Sequence, residues 1–184
     1  MRKNKWTLLA AVLLVMGLCL CGCGVNRKSP EGVVRSLIEA CAAGKTAKAM
    51  ECYGLEEDGD KTTKEDIEAT IAYFKAHDAK KIELQDCGVI SEFDGKSFVY
   101  ATYQFQLEKD RNYPAVSTYL VGEKDKKYYV LPAGEIDDAA REKAAEAYQD
   151  FMESDAYKEY TKQYDAFITK YPGYEEKIAA KLEK

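Results

Sequence analysis

The spacing of apolar residues changes several times along this chain, and each change marks a boundary. Residues 8–20 form an almost unbroken apolar run behind Met1-Arg2-Lys3-Asn4-Lys5, and no charged residue lies between Lys5 and Arg27. Beyond it the period becomes helical. Val33, Val34, Leu37, Ile38 and Cys41 fall three and four apart, Ser29-Pro30-Glu31 supplies a cap, a first-turn proline and an acid, and Gly44 stands where a helix stops. A short second helix is predicted over residues 46–53, ending at Gly54, then a polar loop over 56–61. Thr63-x-x-Asp66 resembles a capping box that opens a third helix, with Ile67, Ile71 and Phe74 on one stripe and an end near His77. From Lys81 the pattern alternates. Ile82, Leu84 and Ile90 mark a strand, Asp94-Gly95 is a two-residue hairpin signal, and Val99, Ala101, Tyr103, Phe105 and Leu107 give a period-two face. Further strands over about 115–123 and 128–131 complete a meander that Pro132 ends. Helices followed by an antiparallel sheet make an α+β fold, with the helices on one sheet face.

The last fifty residues differ in composition, being rich in Ala, Glu, Lys and Tyr, with 8 basic against 13 acidic side chains. Ile136, Ala140, Ala144, Ala147 and Phe151 suit one helix. Tyr157, Tyr160, Tyr164 and Tyr171 suit its continuation or a second, with Ser154-Asp155 as a break and Pro172-Gly173 before a last short helix. The predicted organisation is a signal segment over 1–22, a tether over 23–28, an α+β domain over 29–134 and a helical, tyrosine-rich extension over 135–184.

The basic start and the apolar run are too short for a permanent span and match an export signal. Leu20-Cys21-Gly22-Cys23 resembles the bacterial lipoprotein signal, in which a small residue precedes the cysteine that is lipidated. That resemblance implies Cys23 as the lipid attachment site and an extracytoplasmic protein held on the cell membrane by its lipid. A diacylglyceryl group supplies two chains, at about 0.8 kcal/mol per buried methylene, where a single chain holds only reversibly.

Composition then sharpens. The chain has 184 residues and a formal charge of −5. Loss of residues 1–22 removes three cations and leaves 162 residues with 24 basic against 32 acidic side chains, a balance of −8. That balance argues against nucleic acid, which needs a basic stripe, and against electrostatic attraction to an anionic membrane. Of six cysteines, Cys41, Cys52 and Cys87 remain beyond Cys23. A Cys41–Cys52 bridge and three buried free thiols are both open. No cysteine or histidine spacing suggests a metal site, and no glycine-rich phosphate loop or nucleophile elbow is present in the sequence, so no cofactor is expected.

The segment Ser29-Pro30-Glu31-Gly32-Val33-Val34, with Leu37-Ile38-Glu39-Ala40, Gly44 and Ala49 after it, resembles the nuclear-transport-factor-2-like superfamily of cystatin-like α+β cones. More narrowly it resembles small bacterial lipoproteins of that superfamily. The resemblance covers residues 29–131. It implies N-terminal helices packed on a curved antiparallel sheet, a cavity within the cone and a twofold homodimer through exposed sheet faces.

Strand parity places Asp86 with Ile82, Leu84 and Ile90 on the apolar face. A desolvated acid there, near Tyr103 or Tyr119, would serve as a base with a phenolic donor, in a small cavity enzyme of isomerase or hydrolase type. Asp86-Cys87-Gly88 is also good bulge chemistry, which would reset the parity and expose the acid, and this is the favoured reading. Tyr103, Phe105 and Tyr119 are the expected cavity lining. His77 is expected to be solvated at its helix end. The stripe Tyr157, Tyr160, Tyr164 and Tyr171 could grip a protein or a glycan, although such stripes more commonly pack on their own domain. The sequence therefore favours a binding or interaction module over an enzyme.

Overall fold

The computed structural model describes residues 24–183, so the expected signal segment and Cys23 lie outside the described residues. Ser29 caps helix α1 (Pro30–Ala42), its hydroxyl accepting from the Gly32 amide at 3.0 Å, with Pro30 and Glu31 in the first turn. Helix α2 (Thr46–Cys52) follows the turn at Gly44. Helix α3 (Lys61–Ala76) starts before the expected Thr63 box, because the Asp60 carboxylate accepts from the Thr62 and Thr63 amides at 3.2 and 3.3 Å and is itself the cap.

The sheet is a meander of β1 (Lys81–Phe93), β2 (Lys96–Gln106), β3 (Asn112–Lys124) and β4 (Lys127–Val130), in the order β1-β2-β3-β4 with every neighbour antiparallel. Asp94 and Gly95 both take positive φ, 49° and 70°, as a tight hairpin turn requires. Asp125 and Lys126 do the same at 52° and 60° without a glycine. Along β2 the expected alternation holds. Val99, Ala101, Tyr103 and Phe105 are buried towards α1, α2 and α3, while Phe98 and Tyr100 face the other way.

The C-terminal extension forms α4 (Asp138–Met152), α5 (Asp155–Lys170) and α6 (Tyr174–Leu182). Ser154 breaks the first two as expected, its hydroxyl accepting from the Tyr157 amide at 3.2 Å. Helix α4 lies on the second sheet face, where Ala140 joins Phe98 and Leu120 in a small core, with Ala144, Ala147 and Tyr148 at its margin. Helix α4 thus covers the sheet face that α1, α2 and α3 leave open. Helices α5 and α6 then return to the main core: Phe167 is buried in it, and Tyr164, Ile168, Tyr171 and Tyr174 pack against it. Both faces of the sheet are covered by the chain's own helices.

Residues 25–28, expected as a tether, are part of the fold. The Asn26 amide donates to Ser36 Oγ at 3.0 Å, and the Arg27 carbonyl accepts from the Tyr128 amide at 3.1 Å. The Arg27 guanidinium lies 4.8 Å from the centre of the Tyr129 ring.

His77 also departs from expectation. It is 4% exposed, at the end of α3, with its ring stacked on Phe105 at 3.9 Å between centres. Its Nδ1 lies 2.8 Å from the Tyr174 hydroxyl of α6, and its Nε2 is buried without a partner. Lys181 of α6 reaches the Ala76 carbonyl at 2.6 Å, closing the same joint. Burial, helped by the nearby Lys181 charge, lowers the His77 pKa to about 4. The folded state therefore keeps the ring neutral, while the unfolded chain binds a proton from about pH 6.5 downwards. Stability contributed by His77 is present above about pH 6.5 and is lost as pH falls to about 4. We expect His77→Phe, which keeps the stack and cannot take up a proton, to flatten this dependence. The wild type should lose on the order of 2–3 kcal/mol more than the variant between pH 7 and 4, read from urea unfolding midpoints. Parallel curves would refute the neutral buried ring.

Candidate functional site

The sheet's main-core face leaves an open cleft of about 420 Å³ where α3 diverges from β3. Tyr73 and Phe74 of α3 form one side, Tyr103 of β2 the floor, and Tyr113, Ser117 and Tyr119 of β3 the other side. Tyr160 of α5 closes one end. The strand residues arrive by parity, since alternate positions of a strand share a face. No charged side chain lines this cleft. The Tyr103 and Ser117 hydroxyls lie 2.9 Å apart. Desolvation raises the phenol pKa values of Tyr73, Tyr103, Tyr113 and Tyr119, and pushes Tyr160 up to about 12. These phenols stay protonated at neutral pH and act as donors and acceptors of hydrogen bonds, not as bases.

A second cleft of about 220 Å³ adjoins the first beneath α5. The two share Tyr103, Pro114, Ala115 and Tyr160. Its character is different, with Gln85, Asp86, Gln104, Glu159 and Gln163 around it. Gln104 Nε2 donates to Gln163 Oε1 at 2.7 Å, and Gln163 Nε2 donates to Glu159 Oε1 at 2.9 Å, so these side chains hold one another in place.

Asp86 belongs to this outer cleft. The register of β1 slips between Leu84 and Asp86, a bulge at Gln85 that turns Cys87 into the core and Asp86 outward. The parity that put Asp86 among apolar residues is thereby corrected: the acid is exposed, and neither Tyr103 nor Tyr119 hydrogen-bonds it. Tyr100 does, donating to Asp86 Oδ2 at 2.6 Å, while Asp86 Oδ1 accepts from the Cys87 amide at 2.8 Å. Gly88 makes this reach feasible, because a Cβ there would meet the Tyr100 ring at 3.0 Å. The desolvated base that an isomerase or hydrolase would need is not the group found.

Of the expected cavity lining, Tyr103 and Tyr119 are in the cleft, whereas Phe105 sits behind it, fully buried in the core. The tyrosine stripe divides. Tyr160 enters the cleft, Tyr157 packs on Phe151 at 5.4 Å, and Tyr164 and Tyr171 pack against the main core, all four half-buried. Tyr73, Tyr113 and Ser117 were not singled out by sequence. The β3 pair shares the parity of Tyr119, a signal that was there to be read, while Tyr73 shows only as the neighbour of Phe74.

Cys41, Cys52 and Cys87 are free and buried, so the Cys41–Cys52 bridge is not formed. Among the described residues no group of three or more His, Cys, Asp or Glu is placed to hold a metal, and no helix is long and apolar enough to cross a membrane.

Fold and site together define the class: an α+β domain with N-terminal helices on a four-stranded meander, a tyrosine-lined cleft on the helix-bearing face, and a helical extension wrapped around it. Comparison with models of protein families finds no match, and comparison with curated proteins finds none either. Among solved structures the chain is similar to one described as an NTF2-like transpeptidase from Campylobacter jejuni. The identity is 18% and the TM-score 0.41, over 56% of this chain and 98% of that one. At that level no residue role passes from one chain to the other.

Desolvation raises the thiol pKa values to about 12 for Cys41 and Cys52 and about 11 for Cys87. All three should therefore resist iodoacetamide in the folded protein at pH 8 and react on denaturation, with native rates at least about a hundredfold lower. Peptide mass spectrometry resolves the three sites, and rapid native labelling of any of them would contradict its burial.

Proposed function

We propose that this protein is a lipid-anchored, extracytoplasmic binding module on a nuclear-transport-factor-2-like cone, with the tyrosine-lined cleft as its ligand seat. The observation that carries the reading is the cleft: about 420 Å³, within the range of small-molecule sites, walled by five tyrosines and free of charged side chains. Such walls bind and orient, and they offer no acid or base poised near neutral pH. Support for the anchor comes from the sequence, through the basic start, the apolar run and Leu20-Cys21-Gly22-Cys23. The similarity of residues 29–131 to the superfamily, together with the element order of the fold, supports the cone.

The anchor and the seat are tested separately. Cys23→Ala should abolish incorporation of labelled palmitate and move the protein out of the membrane fraction; unchanged labelling would refute Cys23 as the attachment site. For the seat, a neutral apolar dye such as N-phenyl-1-naphthylamine should gain fluorescence with the folded full-length chain. Thr70→Trp, which fills the cleft from α3, should lower that signal at least threefold. A signal that Thr70→Trp leaves untouched places dye binding elsewhere and counts against the cleft as a binding seat.

A further inference from the structure

We propose that the tyrosine-lined cleft receives an extended peptide segment of another protein, which adds to the sheet as a strand on the free edge of β3. The inference rests on the binding-module reading and gives it a ligand class. Tyr113, Pro114, Ala115, Val116 and Ser117 line the cleft without a gap between them. A strand's face contributes alternate residues, so a consecutive run lines a cavity from the strand's edge.

The ladder locates that edge. β3 pairs with β2 from Asn112 to Gly122 without a slip, but with β4 only from Val121 to Lys124. One further bond, from the Leu131 amide to the Leu120 carbonyl at 2.8 Å, closes the contact before Pro132. Successive residues of an antiparallel strand turn their backbone groups to opposite neighbours. Leu120 turns towards β4, so Thr118 and Val116 turn their N–H and C=O the same way, past the point where β4 has left. The bond from the Leu107 amide to the Arg111 carbonyl, at 2.7 Å, gives the same phase from the other end, with odd positions of β3 facing β2. Among the described residues neither Val116 nor Thr118 has a backbone partner on the open side. Pro114, two positions on, has no N–H to leave unpaired there, as suits an edge. It shares the smaller cleft with Ala156 and Tyr160 of α5. The open stretch is therefore Ala115 to Tyr119, and all five of its residues are half-buried whichever face they occupy.

Unpaired donors and acceptors in a row match the backbone of one more strand, which here would continue the place in the ladder that β4 vacates. The stretch is about 17 Å long at about 3.4 Å per residue, enough for a short peptide and too short for a long strand. Side chains then sort by face. A peptide residue opposite Ser117 lies on its face of the sheet and enters the cleft, among Tyr73, Tyr103, Tyr119 and Tyr160. Residues opposite Val116 and Thr118 point to the other face. No charged side chain lines the cleft, so a charged anchor would lose hydration and find no counter-charge. The anchor is a large uncharged side chain, apolar or aromatic, with the phenol tips and the Thr70 hydroxyl at its margin.

The test uses the full-length chain. In the free protein, amide exchange followed by NMR should be at least tenfold faster at Val116 and Thr118 than at Ser117 and Tyr119, whose amides bond β2. A phage library of random heptapeptides panned on the chain should enrich sequences with a large uncharged residue at the centre. The enriched peptide, made synthetically, should slow exchange at Val116 and Thr118 at least tenfold. N-methylation along its backbone should weaken binding tenfold or more at every second position and little in between, since only alternate amides face the sheet. Thr70→Trp should weaken it tenfold by filling the side-chain seat, and Val116→Pro should do so by removing an edge N–H that β2 does not use. Should Val116→Pro fail to fold, the N-methyl series decides the same point. Tyr171→Phe, outside the cleft, should leave the affinity unchanged. A flat N-methyl series, or exchange at Val116 and Thr118 indifferent to the peptide, overturns the proposal. So does protection of those two amides that rises with protein concentration, which assigns the edge to a second copy. If no peptide is enriched while the dye signal still depends on Thr70, the peptide class is wrong and the binding seat stands; if both fail, both readings fall.

Discussion

Phe105 lies where everything else in this molecule meets. Its side chain is wholly buried, and five rings surround it: Tyr73, Phe74 and His77 from α3, Tyr103 beside it on β2 and Tyr113 from β3, with centres 3.9 to 6.1 Å away. Such clusters combine large buried area with edge-to-face geometry. Here the cluster also decides the shape of the surface in front of it. Tyr73, Tyr103 and Tyr113 turn one side to Phe105 and the other to the cleft, so the back of the cleft is the front of the core. Reaching the arm takes one more layer. His77 and Tyr113 pass the stack on to Tyr174 of α6, and Tyr113 and Tyr164 both donate to the Glu175 carboxylate, at 2.7 and 2.9 Å.

That arrangement explains why the C-terminal extension is rich in tyrosine. A helix returning over the cleft mouth must bury part of itself while its outer side stays wet, and tyrosine provides an apolar body with a polar tip. Tyr164 and Tyr171 use their bodies on the core, Tyr157 on Phe151, and Tyr160 alone turns into the cleft. Charged residues of both signs, with acids in excess, occupy much of the remaining surface of the arm. The arm thus resembles a strap, running across one sheet face as α4 and fastened to the other by α5 and α6.

Sequence disclosed whatever is decided locally. Ser29 and Ser154 cap the helices expected of them, Asp94-Gly95 makes the turn, and the alternation through Val99 to Phe105 faces the core, because caps, primed turns and pleats depend on residues a few positions apart. It failed where a local rule was broken or a distant partner decided the outcome. At Asp86 simple parity is broken, as the favoured bulge chemistry of Asp86-Cys87-Gly88 implies, and the paired strand adds only that the inserted residue is Gln85. His77 has a partner 97 positions away, so nothing near it in the chain announced a buried, neutral ring. Asp60 outcompeted Thr63 as a cap, a choice between two chemically suitable candidates. The cleft was half legible: Tyr103 and Tyr119 follow from parity, Tyr160 from the stripe, and the meeting of these elements from neither.

Residues 25–28 carry a last consequence, through the bonds from Asn26 to Ser36 and from Tyr128 to Arg27 and the seating of the Arg27 guanidinium on Tyr129. A flexible stalk lets a domain sweep a volume set by its contour, roughly 5–6 Å times the square root of the residues in it. Between Cys23 and the first docked residue there is almost no such length. Were the proposed anchor at that cysteine in place, the domain would be a post and not a float, standing at one height with one side outward. Encounters would then be two-dimensional, governed by what is carried along the same surface, and a molecule lying there would meet the cleft at a constant angle.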